Sequence, residues 1–127
     1  MVGADTDGAY SLAEVELVGD GPPQHIHKAE DEAFYVLEGE INVLMGERTF
    51  IAKAGAFVRI PRGTRHTFCR VGQEPAKLLA IFSPPGFEQF FDEAVDLDIT
   101  GTEAYVAKAT ALAEKYNMEI VGPPLEL

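Results

Sequence analysis

The feature that most constrains this chain is a succession of short β-like runs, each closed by glycine, proline or charge. From Ala13 to Leu17 the order Ala-Glu-Val-Glu-Leu alternates apolar and polar residues, the pattern of a strand with one buried and one wet face. After the break at Gly19-Asp20-Gly21-Pro22-Pro23, further runs follow at Ala33–Leu37, Ile41–Met45, Arg48–Ala52, Phe57–Ile60, Thr67–Val71 and Leu78–Phe82. Gly39, Gly46, Gly55, Gly63 and Gly72 mark turns between them. Such close, regular spacing predicts a mainly β fold of sandwich or barrel type.

The period then changes. Ser83-Pro84 has the form of a helix cap and first helical position, and Phe87, Phe90, Phe91, Ala94 and Val95 recur at helical spacing. This predicts a helix that lays an aromatic stripe on the β core. A second helix is predicted from Thr100, where Thr-Gly-Thr-Glu103 resembles a capping box and Tyr105, Ala109, Leu112 and Tyr116 form an apolar face that ends at Asn117. For Met118 to Val121 the sequence allows either an edge strand or a docking tail.

With 127 residues the chain has the size of one domain, so residues 1–127 are read as one unit. Its β core covers about residues 10–83, and its helical extension about 84–121. Ten Lys and Arg against twenty-one Asp and Glu leave a net charge of −11, which repels phosphate backbones and anionic membranes. Nucleic acid and membrane partners are therefore not expected, and no apolar run has the length of a membrane span. The first residues have no signal-peptide pattern, and the single Cys69 has no cysteine partner in the chain, which together predict a reducing, cytoplasmic location. Cys69 is read as a packing residue.

The chain has three histidines, all in the β region beside turn signals. His25 and His27 are two residues apart, so on an extended strand their rings project from one face, and Glu32 can return to that face after a short turn. His66 comes from a later strand. A histidine beside a turn is, taken alone, more often solvated or hydrogen-bonded than a ligand. Three imidazoles and a carboxylate brought together, however, suit Fe, Mn, Co, Ni, Cu or Zn as divalent ions and leave positions open for a substrate.

The spacing of these residues resembles the two signature motifs of the cupin superfamily. The first reads Gly19-x5-His25-x-His27-x4-Glu32-x6-Gly39, and the second Gly55-x5-Pro61-x-Gly63-x2-His66. Where the family often has Asn after the second motif, this chain has Arg70. The likeness is greatest to small single-domain proteins described as quercetin-dioxygenase-like. It implies a double-stranded β-helix, a jelly-roll barrel, with the two C-terminal helices packed outside. It also makes His25, His27, Glu32 and His66 the ligands of one divalent transition-metal ion. Family members commonly pair by strand exchange, which implies a homodimer. Gly39 and Gly63 are expected at turn positions with positive φ, with Pro61 stiffening the turn that presents His66.

Counting by twos from His66 places Phe68 and Arg70 on the inward face, and the same count from Glu32 gives Phe34 and Val36. These four residues are the expected substrate pocket, apolar enough for a small organic ligand. Arg70 could grip a substrate carboxylate or enolate, or form a rim salt bridge. Arg59, Arg62 and Arg65 are read as solvated turn charges. Glu30 and Asp31 are read as surface carboxylates, although either can hydrogen-bond a ligand histidine from behind. The function expected is a metal-dependent dioxygenase acting on a small phenolic or enolisable substrate, with Glu32 as ligand or catalytic base. A non-redox isomerase, cyclase or lyase and a non-catalytic binding protein are the alternatives.

Overall fold

The structure, a computed structural model, describes residues 1–18, 21–95 and 102–125. Gly19 of the first motif, the cap expected at 100–103 and the side chain of Tyr105 fall outside the described residues. A 3-10 turn at Gly3–Thr6 leads into strands β1 (Ser11–Leu17), β2 (Pro23–His27), β3 (Asp31–Glu38), β4 (Glu40–Met45), β5 (Arg48–Lys53), β6 (Phe57–Ile60), β7 (His66–Arg70) and β8 (Ala76–Ser83). Helices α1 (Glu88–Val95) and α2 (Thr102–Lys115) follow, then strand β9 (Met118–Pro124).

The strands form two antiparallel sheets, ordered β1-β8-β3-β6 and β5-β4-β7-β2-β9. This is the expected jelly-roll arrangement. Alternation decides what each strand contributes to the space between the sheets. On β3, Glu32, Phe34 and Val36 are buried while Tyr35 is exposed; on β8, Ala76, Leu78, Ala80 and Phe82 are buried. They meet Ile41 and Val43 of β4 and Ala52 of β5 in one apolar cluster. Fully burying a side chain such as Phe34 or Leu78 contributes about 1.5–3 kcal/mol each, so this cluster sets the spacing of the sheets on which the polar site depends.

Gly39 and Gly63 have φ of 78° and 82°, the left-handed region that both turns were expected to need. Gly21 is required for a different reason. The chain passes so close to β7 that a Cβ on Gly21 would stand 1.9 Å from the Phe68 carbonyl oxygen. Beside it, Thr67 Oγ1 donates to the Pro22 carbonyl at 2.6 Å, which holds the start of β2 against β7.

Two expectations at the C-terminal side are corrected or resolved. Ser83 does not cap a helix: it is paired with Asp31 at the end of the β3–β8 ladder, and its hydroxyl donates to the Ala9 carbonyl at 2.8 Å. The helix begins later, at Glu88, whose carboxylate accepts the Gly86 N–H at 2.6 Å. Residues 118–124 form an edge strand, pairing with β2 so that His27 lies opposite Met118. Asn117, at φ 59°, ends α2 as expected, and its carbonyl accepts the Lys28 N–H at 2.9 Å. α1 packs against β1 and α2, and α2 packs against β9. No helix among the described residues is long and apolar enough to cross a membrane.

Candidate metal centre

The two sheets supply different donors to one site. β2 and β7 place His25 and His66 directly opposite each other in the five-stranded sheet, with ring centroids 4.3 Å apart. His27, two residues beyond His25, faces the same way because strand side chains alternate. Glu32 comes from β3 in the other sheet, on the inner face that also carries Phe34. All four are buried, and one possible ligand atom from each lies within 4.8 Å of the others. Thus the structure brings together every residue of the expected ligand set.

Each imidazole is held from behind. His25 Nδ1 is 2.7 Å from the Pro23 carbonyl, His66 Nδ1 is 2.9 Å from the Thr64 carbonyl, and His27 Nδ1 is 2.9 Å from Glu30 Oε1. Carbonyl and carboxylate oxygens only accept, so each Nδ1 is the donor and each Nε2 is left to face other partners. His66 Nε2 and His27 Nε2 meet the same oxygen, Glu32 Oε2, at 2.9 and 3.1 Å. With each Nδ1 engaged from behind, the three Nε2 atoms and the carboxylate form a donor set that suits a borderline transition-metal ion once the protons shared between them leave. Glu30 is therefore corrected from a surface carboxylate to a buried partner of His27. Its neighbour Asp31 is the outward one, accepting the Arg62 N–H at 2.8 Å.

The electrostatics follow from burial and from these contacts. Burial, then the nearby His66 and His27, push the His25 imidazolium down to about 4. Burial also opposes charge on His27, but its hydrogen bonds to Glu30 and Glu32 outweigh that cost and raise it to about 9. Desolvation alone would raise Glu32; the hydrogen bonds from His27 and His66 prevail and hold it down to about 2. The carboxylate is thus kept ionised, as a metal ligand must be.

A cavity of about 100 Å³ adjoins His25, His27 and Glu32. Its remaining walls are Pro22, Met118 and five phenylalanines, Phe68, Phe82, Phe87, Phe90 and Phe91. Of the four expected pocket residues, Phe68 stands at this wall. Phe34 and Val36 face inward as the count by twos requires, but they are fully buried in the core. The Arg70 guanidinium is directed into the β7–β8 turn, where it donates to the Gln73 carbonyl at 2.5 Å. The sequence signal for Phe87, Phe90 and Phe91 was their helical spacing, and for Phe82 the alternation along β8. Met118 carries no such signal, because its place depends on the pairing of β9 with β2. A larger groove of about 380 Å³ lies between α2 and β9, lined by residues such as Lys28 and Glu114, away from the histidines; the donor set, not size, locates the site.

The Cupin domain family model matches residues 13–82, which span both motifs and all four donors. This chain belongs to the cupin family. Its cupin region is 36% identical over 83 residues to polyketide synthase CurC of Streptomyces cyaneus, covering 65% of this chain and 53% of that protein. It is 30% identical over 88 residues to quercetin 2,3-dioxygenase of Bacillus subtilis (strain 168), covering 68% and 26%. The cupin therefore spans about half the length of the first relative and about a quarter of the second. Among solved structures it resembles the protein TT1209 from Thermus thermophilus, with a TM-score of 0.57 and 27% identity over 61% of this chain and 74% of that one.

Proposed function

We propose that this cupin holds one divalent transition-metal ion through His25, His27, Glu32 and His66, and acts as a dioxygenase on a small phenolic or enolisable organic substrate. The observation that carries the proposal is the juxtaposition of an aromatic cavity with the three imidazoles and the buried carboxylate. When bound, the ion would supply Lewis acidity and, if redox-active, a path for electrons to O2. The chain's own residues do the rest. The phenylalanine walls exclude water and orient a planar substrate by its faces. Glu32 holds the ion through its carboxylate and is the group placed to take the substrate's phenolic or enolic proton, whose acidity a bound ion would raise. Glu30, Pro23 and Thr64 hold the imidazoles in one orientation throughout. Similarity to quercetin 2,3-dioxygenase supports the oxygen-dependent reading.

The similarity to polyketide synthase CurC favours a second reading in which oxygen takes no part. Glu32 then removes a proton from carbon and delivers it to another atom of the same substrate, giving isomerisation or cyclisation, or to a departing hydroxyl that leaves as water, giving elimination. Both readings use the same pocket and the same base.

Oxygen uptake separates them. Protein reconstituted anaerobically with Fe(II), Mn(II), Ni(II) or Cu(II) is offered catechols, β-diketones and flavonols, with His66→Ala as control. Substrate-dependent uptake that disappears in the variant supports the dioxygenase. Stoichiometric metal with no uptake, and product formed with zinc under argon, would replace it with the non-redox enzyme. Ligand binding without turnover under either condition would replace both with a binding protein.

A further inference from the structure

The cavity beside the histidines is walled on one side by a segment that the family match does not include. The match ends at residue 82, whereas Phe87 precedes α1 directly and Phe90 and Phe91 lie within it. The Phe87 and His27 rings meet edge to face, with centroids 4.4 Å apart and planes at 89°. Phe90 stacks on Phe87 at 5.0 Å and 15°. Tyr116, in the turn that follows α2, meets both rings edge-on, at 6.3 and 6.1 Å, and its hydroxyl donates to Glu93 of α1, which Lys115 also contacts at 2.7 Å. The aromatic wall is therefore backed from the end of α2 and set in place before any ligand arrives.

We infer that α1 is a size filter, and that the pocket admits one aromatic ring while excluding fused or linked ring systems. This inference deepens the proposed function and rests on it for the role of the site. Volume carries it. About 100 Å³ is below the roughly 150 Å³ of an apolar cavity known to take benzene, and far below the roughly 300 Å³ at which drug-sized pockets begin. A single ring fits with small adjustments of the wall, and a three-ring flavonol does not. The polar donors lie at one end of the cavity, on His25, His27 and Glu32, so the ring presents its polar atom there.

Phe90 tests this, because it lines the cavity and is partly exposed, so truncating it removes wall without emptying the core. Calorimetric titrations use phenol, 2-naphthol and 3-hydroxyflavone as probes, on zinc-loaded and on zinc-stripped protein, with wild type, Phe90→Ala and the milder Phe90→Leu. Wild type should bind phenol and bind both larger probes about tenfold more weakly or not at all. In Phe90→Ala the order should move about tenfold toward 2-naphthol with zinc stoichiometry unchanged, and Phe90→Leu should fall between, with thermal melts confirming that each is folded. Wild type that binds 3-hydroxyflavone as tightly as phenol, or binds no phenol, would overturn the filter. So would an unchanged size order in whichever Phe90 variant is folded. If wild type takes up no zinc, the proposed function fails, while the size order measured on stripped protein still decides the filter.

Discussion

Glu30 Oε1 lies 2.9 Å from His27 Nδ1, and both side chains are almost wholly buried. A carboxylate behind a ligand imidazole fixes the ring's orientation and increases its basicity. Replacing Glu30 by Gln keeps an acceptor of similar shape but removes the charge. Metal affinity should fall by about 10- to 100-fold while the fold is retained. Competition titration against a chelator of known affinity measures this, and an unchanged affinity would make Glu30 a structural contact only.

His66 is completely buried between Glu32 and the Thr64 carbonyl. In His66→Ala, metal content should drop sharply from one ion per chain, as read by elemental analysis after dialysis. Wild type should also gain about 2.7 kcal/mol of stability when free zinc is about 100 times its dissociation constant, since binding to the native state alone adds free energy by mass action. The variant should gain little under the same conditions. A variant that keeps full metal would remove His66 from the ligand set.

After metal removal, stability should peak near pH 6.5. His27 has its pKa raised from 6.5 to about 9, so its contribution is complete below 6.5 and is lost as pH rises toward 9. His25 is depressed from 6.5 to about 4, so its contribution is present above 6.5 and is lost as pH falls toward 4. Glu32 is depressed from 4.5 to about 2, which adds a further loss below 4.5. Denaturation melts in chelator between pH 4 and 9 should trace this dome. In His27→Gln the alkaline limb should flatten; if it stays as steep as in wild type, another group is responsible.

At Gly21 the steric argument is independent of the metal. An added Cβ would meet the Phe68 carbonyl oxygen at 1.9 Å and the Cys69 side chain at 3.1 Å, so the backbone must move. Gly21→Ala should cost roughly 1–3 kcal/mol, the usual range for overpacking, and displace Phe68 at the cavity wall. Urea denaturation gives the first quantity. A loss below about 0.5 kcal/mol would mean that the Gly21–Pro22 segment can lift off β7 freely.

Much of this was legible along the chain because it is local. Alternation placed His25 and His27 on one face and Glu32 with Phe34 and Val36 on another, and the turn glycines followed from backbone sterics. The intervals between histidines, glutamate, glycines and proline sufficed to point to the family and to all four donors. Periodicity reports which face a residue occupies, but not how deep it lies or what stands opposite. Phe34 and Val36 therefore proved to be core, Arg70 turned to Gln73, and Glu30 turned inward to His27. Pairing of β9 with β2 and packing of Phe87 against His27 join segments about 60 to 100 residues apart, and only chain closure decides such contacts. The sequence by itself determined the candidate donors, while the tertiary structure decided the walls around them, because donor spacing is written within strands and cavity shape arises between them.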